Sequence, residues 1–108
     1  MITKVWLDDV RTPPDSSWTW AQSFSQFRWI INNQCEDGQI KVISFDHDLG
    51  PVDHSLGIAK DGYDCLKWLA SVRPNRYPQQ VLVHSANPVG AERIRDYDEF
   101  FRNNREEF

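Results

Sequence analysis

The stretch Val42-Ile43-Ser44-Phe45-Asp46-His47-Asp48-Leu49-Gly50 joins a short apolar run to three ionisable side chains and a glycine. An apolar run of that length, bounded by turn residues, reads as a buried strand, and the polar residues stand where it stops. Two other runs end in the same way. Lys4-Val5-Trp6-Leu7 gives way to Asp8 and Asp9, and Val81-Leu82-Val83 gives way to His84, Ser85, Ala86 and Asn87. Three strands therefore deliver their polar residues to one edge of a sheet, and that pattern decides the fold.

Outward from this stretch, residues 2–7 read as the first strand, followed by a polar loop through Arg11, Pro13, Pro14 and Ser17 whose prolines discourage a helix. Residues 18–22 alternate like a second strand, and Phe24, Phe27, Ile30 and Ile31 then recur at helical spacing as far as Asn32 and Asn33. After the Glu36-Asp37-Gly38 turn the third strand runs from Ile40 to Phe45, and Gly50-Pro51 opens a loop containing His54 and Gly57. Asp61 reads as the N-cap of a helix with Tyr63, Leu66, Leu69, Ala70 and Val72 on its apolar side, stopped by Arg73-Pro74. A fourth strand covers Val81 to Val83. Asn87-Pro88 then begins a last helix with Ile94, Tyr97 and Phe101 facing inward and a fraying end from Arg102 to Phe108. Strands alternating with helices predict an α/β domain with a mostly parallel four-stranded sheet, and ligands in such sheets bind outside the carboxyl ends of the strands.

A chain of 108 residues supports one core, so residues 1–108 are expected to form a single domain with a single site. Hydrophobic residues at 40% and charged residues at 26% argue against disorder. A net charge of -4 disfavours extended duplex nucleic acid, whose binding relies on many cationic contacts, but leaves a nucleotide or an RNA end open. No run is long enough to span a membrane and the start lacks the layout of a signal peptide, so a cytoplasmic location without membrane partners is expected. Cys35 and Cys65 lack metal-ligand spacing and read as reduced, structural thiols. Trp6, Trp18, Trp20, Trp29 and Trp68 read as core residues, with one left to stack on a base.

Asp8, Asp9 and Asp46, with Asp48 near by, gather like charges that need a compensating cation. Oxygen-only ligands suit Mg²⁺ or Mn²⁺, which recruit phosphate oxygens; the alternative is that these aspartates cap turns or pair with Arg11. His47 and His84 follow neighbouring strands and are candidates for the acid and base on either side of one phosphorus atom, or for hydrogen-bonded structural groups. His54, within a loop, is read as structural. Ser85, Asn87 and the start of the last helix suit a phosphate, with Arg11 as a second clamp; simple capping by Asn87 and a salt bridge from Arg11 are the competing readings. Asp48 belongs with these substrate-side residues, but it follows the turn, so holding His47 or the loop is its expected task. No Gly-x-x-x-x-Gly-Lys loop is present.

Taken together, an acidic pair after strand one, Asp46 after strand three, Asp61-Gly62 and Ser85-Ala86 after strand four resemble a receiver domain. That resemblance implies a three-layer sandwich in which Asp8 and Asp9 help bind Mg²⁺, Asp46 accepts phosphate and Ser85 senses it. The chain is shorter than a full receiver: a fifth strand and its lysine are expected to be missing, and the helix after strand one is reduced to the proline loop. A closer resemblance is to the cyclic-phosphate processing receiver domain family, whose pattern is similar to Leu7-Asp8-Asp9-Val10-Arg11-Thr12-Pro13, Phe45-Asp46-His47-Asp48-Leu49-Gly50, Gly62-Tyr63-Asp64 and His84-Ser85-Ala86-Asn87-Pro88-Val89-Gly90. This resemblance implies action on cyclic phosphates such as those at RNA ends.

The sequence therefore predicts a metal-dependent phosphoesterase that processes a nucleotide or RNA-terminal cyclic phosphate. Asp8, Asp9 and Asp46 would hold the metal, His47, His84 and Asp46 would serve the chemistry, and Arg11, Ser85, Asn87 and Asp48 would stand on the substrate side. Two other expectations stay open: a response module phosphorylated on Asp46, and a degenerate domain that binds a nucleotide or protein without chemistry.

Overall fold

A computed structural model describes residues 1–50 and 60–107, which leaves His54 and Gly57 outside the described residues. The strands are β1 (Lys4–Leu7), β2 (Thr19–Ala21), β3 (Val42–Phe45) and β4 (Gln80–Val83), and the helices are α1 (Phe24–Gln34), α2 (Gly62–Val72) and α3 (Pro88–Asn103). Short 3₁₀ turns follow at Pro74–Arg76 and Arg105–Glu107, so the predicted frayed tail is a broken continuation of α3. The sheet has the order β2-β1-β3-β4 and every pair is parallel. This is a receiver-like α/β fold, with no antiparallel member among the described strands.

Each helix begins where its sequence supplies a cap. The Ser23 hydroxyl accepts from Gln26 N at 3.1 Å at the start of α1. Asp61 and Asp64 exchange side-chain-to-backbone bonds of 2.8 and 3.0 Å, a reciprocal capping box on α2. The Asn87 side chain accepts from Gly90 N at 3.0 Å on α3, with Pro88 in the first turn.

Alternation along the strands sorts the two faces of the sheet. Val5 and Leu7 are fully buried and share one core with Phe27, Ile31, Phe45, Leu66, Leu69 and Ile94, so this face meets the helices. Each such side chain contributes about 1.5–3 kcal/mol on burial. Because α1 packs on α2 and α2 on α3, the three helices form a single layer. On the other face Lys4 donates to the Ser17 hydroxyl and the Trp6 indole N-H donates to Arg11 O at 2.9 Å. The loop after β1 therefore covers that side, and the layer expected there is made of loop rather than helix. Trp29 is 54% exposed, a tryptophan left out of the core because it falls outside the Phe24, Phe27, Ile30, Ile31 stripe of α1. Cys35 and Cys65 are both buried, and burial pushes the Cys35 thiol up to about 11.

Candidate metal and phosphate site

Register builds the site. Leu7 lies beside Phe45, and Phe45 beside Val83, so the next residue of each strand, Asp8, Asp46 and His84, emerges on the same rim. Asp8, Asp9 and Asp46 each offer a carboxylate oxygen, and these oxygens lie within 4.8 Å of one another. The metal set expected from sequence is thus one cluster in space.

Asp8 is 1% exposed and heavily engaged. Its Oδ1 accepts from Val10 N at 2.9 Å and Arg11 N at 2.8 Å, while Oδ2 lies 3.0 Å from His84 Nε2 and 3.9 Å from Arg11 Nε. A carboxylate has about four lone-pair sites, so with three hydrogen bonds made Asp8 retains room for a cation. Asp46 is also buried. Burial, followed by the neighbouring Asp8 charge, holds its carboxyl above the ordinary value of 3.8, while a Ser85 hydrogen bond and the charges of His84 and Arg11 pull the other way. Three converging carboxylates form an oxygen-only donor set that suits a hard divalent cation, so the residues present fit Mg²⁺ or Mn²⁺.

The two histidines occupy different settings. His84 leaves β4 on the face of Ser44 and Trp6; its Nδ1 is 2.7 Å from Ser44 Oγ, its Nε2 meets Asp8, and its ring stacks on Trp6 at 3.8 Å and 6°. Burial pushes the His84 pKa below its ordinary value against the opposing pull of Asp8 and Asp46. A neutral ring satisfies both contacts when Nε2-H donates to Asp8 and Nδ1 accepts from the Ser44 hydroxyl. His47 is buried between the start of α2 and the start of α3. Its Nδ1 is 2.9 Å from Asp48 Oδ1, and its Nε2 is 3.3 Å from Asp61 Oδ2 but out of line for a hydrogen bond. The partners of His47 and those of His84 do not overlap, so each ring is anchored separately.

The remaining predicted residues divide between positions beside the acidic cluster and positions that hold the surrounding frame. Arg11 Nη1 donates to His84 O at 2.6 Å, which ties the first loop to β4 while its side chain stays half exposed beside Asp8. Ser85 Oγ accepts from Asn87 N at 3.0 Å and also bonds the Asp46 carboxyl. The Asn87 side chain is committed to capping α3, and Asp48 to His47.

Two glycines set how closely the helices approach the rim. Gly62 N donates to His47 O at 2.7 Å, and a Cβ at Gly62 would fall 2.0 Å from Asp46 O. A Cβ at Gly90 would fall 2.3 Å from the His47 ring. Sequence reasoning missed Ser44, Trp6 and Asp61 as supports of the two histidines. The available signal was a hydroxyl inside an apolar strand, which needs a partner once buried.

A parallel sheet whose first and third strands end in a converging acidic cluster, with a hydroxyl following the fourth, defines a receiver-class domain. The profile of the cyclic-phosphate processing receiver domain matches residues 3–99, nearly the whole chain, and the chain belongs to that family. Comparisons with curated proteins and with solved structures returned no match. Among the described residues, no helix is long and apolar enough to cross a membrane.

Proposed function

We propose that the chain is a metal-dependent phosphoesterase that processes a cyclic phosphate of a nucleotide or an RNA end. The observation that supports this most is the convergence of Asp8, Asp9 and Asp46 within 4.8 Å at the rim of a cyclic-phosphate processing receiver domain. Those three carboxylates would hold Mg²⁺ or Mn²⁺, which when bound polarises a phosphoryl oxygen and eases deprotonation of water. Arg11, half exposed beside the cluster, supplies positive charge for a phosphate oxygen, and the Ser85 hydroxyl orients Asp46. His84 holds Asp8 in place through Nε2-H and exchanges a proton with substrate only at the expense of its bond to Ser44 or Asp8. His47 fixes the end of β3 against α2 and α3, and any proton it moves passes at Nε2, the nitrogen without a well-aligned partner.

Hydrolysis of 2',3'-cyclic nucleotides with Mg²⁺ or Mn²⁺ tests the reading. The wild type should turn over at least one such substrate, Asp9→Asn and Asp46→Asn should abolish turnover, and the single variants His47→Gln and His84→Gln should separate positioning from proton transfer by their pH profiles. Wild-type inactivity across the four bases with either metal would sink the proposal. A second reading, phosphorylation of Asp46, is favoured by the Ser85 hydroxyl bonded to it. Acetyl phosphate followed by intact mass discriminates, since a lasting single-phosphate adduct supports this second reading.

A further inference from the structure

Edge strand β2 and one side of α1 flank an open groove of about 410 Å³ that runs from Gln22 and Gln26 near the rim to Gln34, whose carbonyl accepts from Ile2 N at the other edge of the sheet. Gln26, Trp29 and Gln34 reach it from α1, and Trp20 and Gln22 from β2 and the turn that follows. None of its lining residues is charged. Trp29 leaves more than half of its surface to solvent, although a large indole ordinarily has most of its area covered. The volume lies in the range of pockets that take small ligands, about 300–1,000 Å³.

This lining is selective by chemistry. A free phosphate would find no cation in the groove, and a sugar ring presents only C–H groups to the Trp29 indole, a weaker partner than a π-face. A nucleobase has a π-face for an indole and an edge of donors and acceptors for primary amides, which present both. Two of its lining residues touch the main chain of the acidic rim. The Trp20 indole N-H donates to Asp8 O at 2.6 Å and Gln22 Nε2 lies 3.5 Å from Asp9 O. Gln26 Oε1 in turn accepts from Gln22 N at 2.8 Å, so the rim, the turn and α1 are coupled in one short chain of contacts.

We propose that this groove is a base-binding subsite that seats the nucleobase of a nucleotide whose phosphate lies at Asp8, Asp9 and Asp46, an assignment that rests on the function proposed above. Trp29 supplies the stacking surface and Gln26 and Gln34 meet the base edge. The substrate class is thereby narrowed to cyclic phosphates that bear a base.

The test uses the full chain, ¹⁵N-labelled, in EDTA, so that binding is read without turnover. Adenosine should shift the Trp29 indole N-H and the Gln26 and Gln34 side-chain amides, and ribose 5-phosphate should leave them unmoved. Trp29→Ala should weaken adenosine binding about ten-fold, the scale of one lost base stack, and Trp29→Phe should retain most of it. Trp29 is exposed on its helix, so neither variant threatens the core. Signals unmoved by adenosine, equal shifts with ribose 5-phosphate, or unchanged affinity in Trp29→Ala would overturn the subsite. Turnover of cyclic nucleotides without groove shifts refutes the subsite alone, whereas groove binding without turnover by any metal refutes the catalytic reading alone.

Discussion

Replacing Gly62 by alanine probes the contact on which the rim is built. The new Cβ would stand 2.0 Å from Asp46 O, 3.0 Å from Asp46 C and 3.2 Å from His47 Cα, all main-chain atoms that no rotamer change can move aside. Reaching the 3.4 Å of an ordinary contact requires a shift of 1.4 Å between the start of α2 and the end of β3. That shift strains the 2.7 Å bond from Gly62 N to His47 O. Overpacking of this kind costs about 1–3 kcal/mol, and the weakened bond adds about 1 kcal/mol. Alanine returns at most about 1 kcal/mol through its helical preference. The net loss is about 2 kcal/mol, a drop of about 8 °C in Tm for a domain of this size. Thermal unfolding followed by circular dichroism measures it, and Mn²⁺ titration calorimetry should show weaker binding because Asp46 moves with its main chain. A Tm within about 2 °C of the wild type, with unchanged Mn²⁺ affinity, would refute the reasoning.

Three further outcomes are expected. The raised pKa of Asp46 means that the folded chain binds this proton more tightly than the unfolded chain, so the stability it contributes is complete below about 3.8 and is lost as pH rises through the folded value. Metal-free wild type should therefore fall behind Asp46→Asn in urea midpoint as pH increases from about 3.5 to 7, and a gap that stays constant would contradict the buried charge. Adding Mg²⁺ or Mn²⁺ at 100 times its Kd should stabilise the wild type by about 2.7 kcal/mol, reversibly with EDTA, and should leave Asp9→Asn unmoved. Ser44→Ala leaves His84 Nδ1 buried without its hydroxyl and should cost about 1–3 kcal/mol, with ¹⁵N shifts showing a mixture of His84 tautomers; a single unchanged tautomer would remove Ser44 from the network.

Local signals were legible in the sequence. Asp61 and Asn87 are short polar residues at the start of apolar periodicity, and each caps its helix. The strand ends at Leu7, Phe45 and Val83 follow from apolar runs meeting charge. The start of β3 was less readable: Ile40 and Lys41 lie before the strand, and Lys41 N and Val42 N both donate to Thr3 O, a shared bond that no periodicity announces. The convergence of Asp8, Asp9 and Asp46 could be expected from parallel neighbours, but the partners of His47 and His84 depend on register and on helix approach. Ser44 is 40 residues from His84 and Asp61 is 14 from His47, and spacing along the chain carries no information about either meeting. The sequence leaves one tryptophan outside the core without naming it, and the offset of Trp29 from the stripe of buried residues on α1 already directs that one outward.

Asp8 makes the first loop and the rim inseparable. The same carboxylate that would face a cation also holds Val10 N and Arg11 N, and its carbonyl receives the Trp20 indole. An alanine at this position would release the β1-to-β2 crossing together with the ligand, so lost activity there would record unfolding as much as lost chemistry. Asp9, whose carboxylate holds none of those turn bonds, separates the two. Inherited variation should show the same division: changes at position 8 lower the amount of protein a cell retains, while changes at position 9 leave a well-populated chain unable to hold the proposed ion.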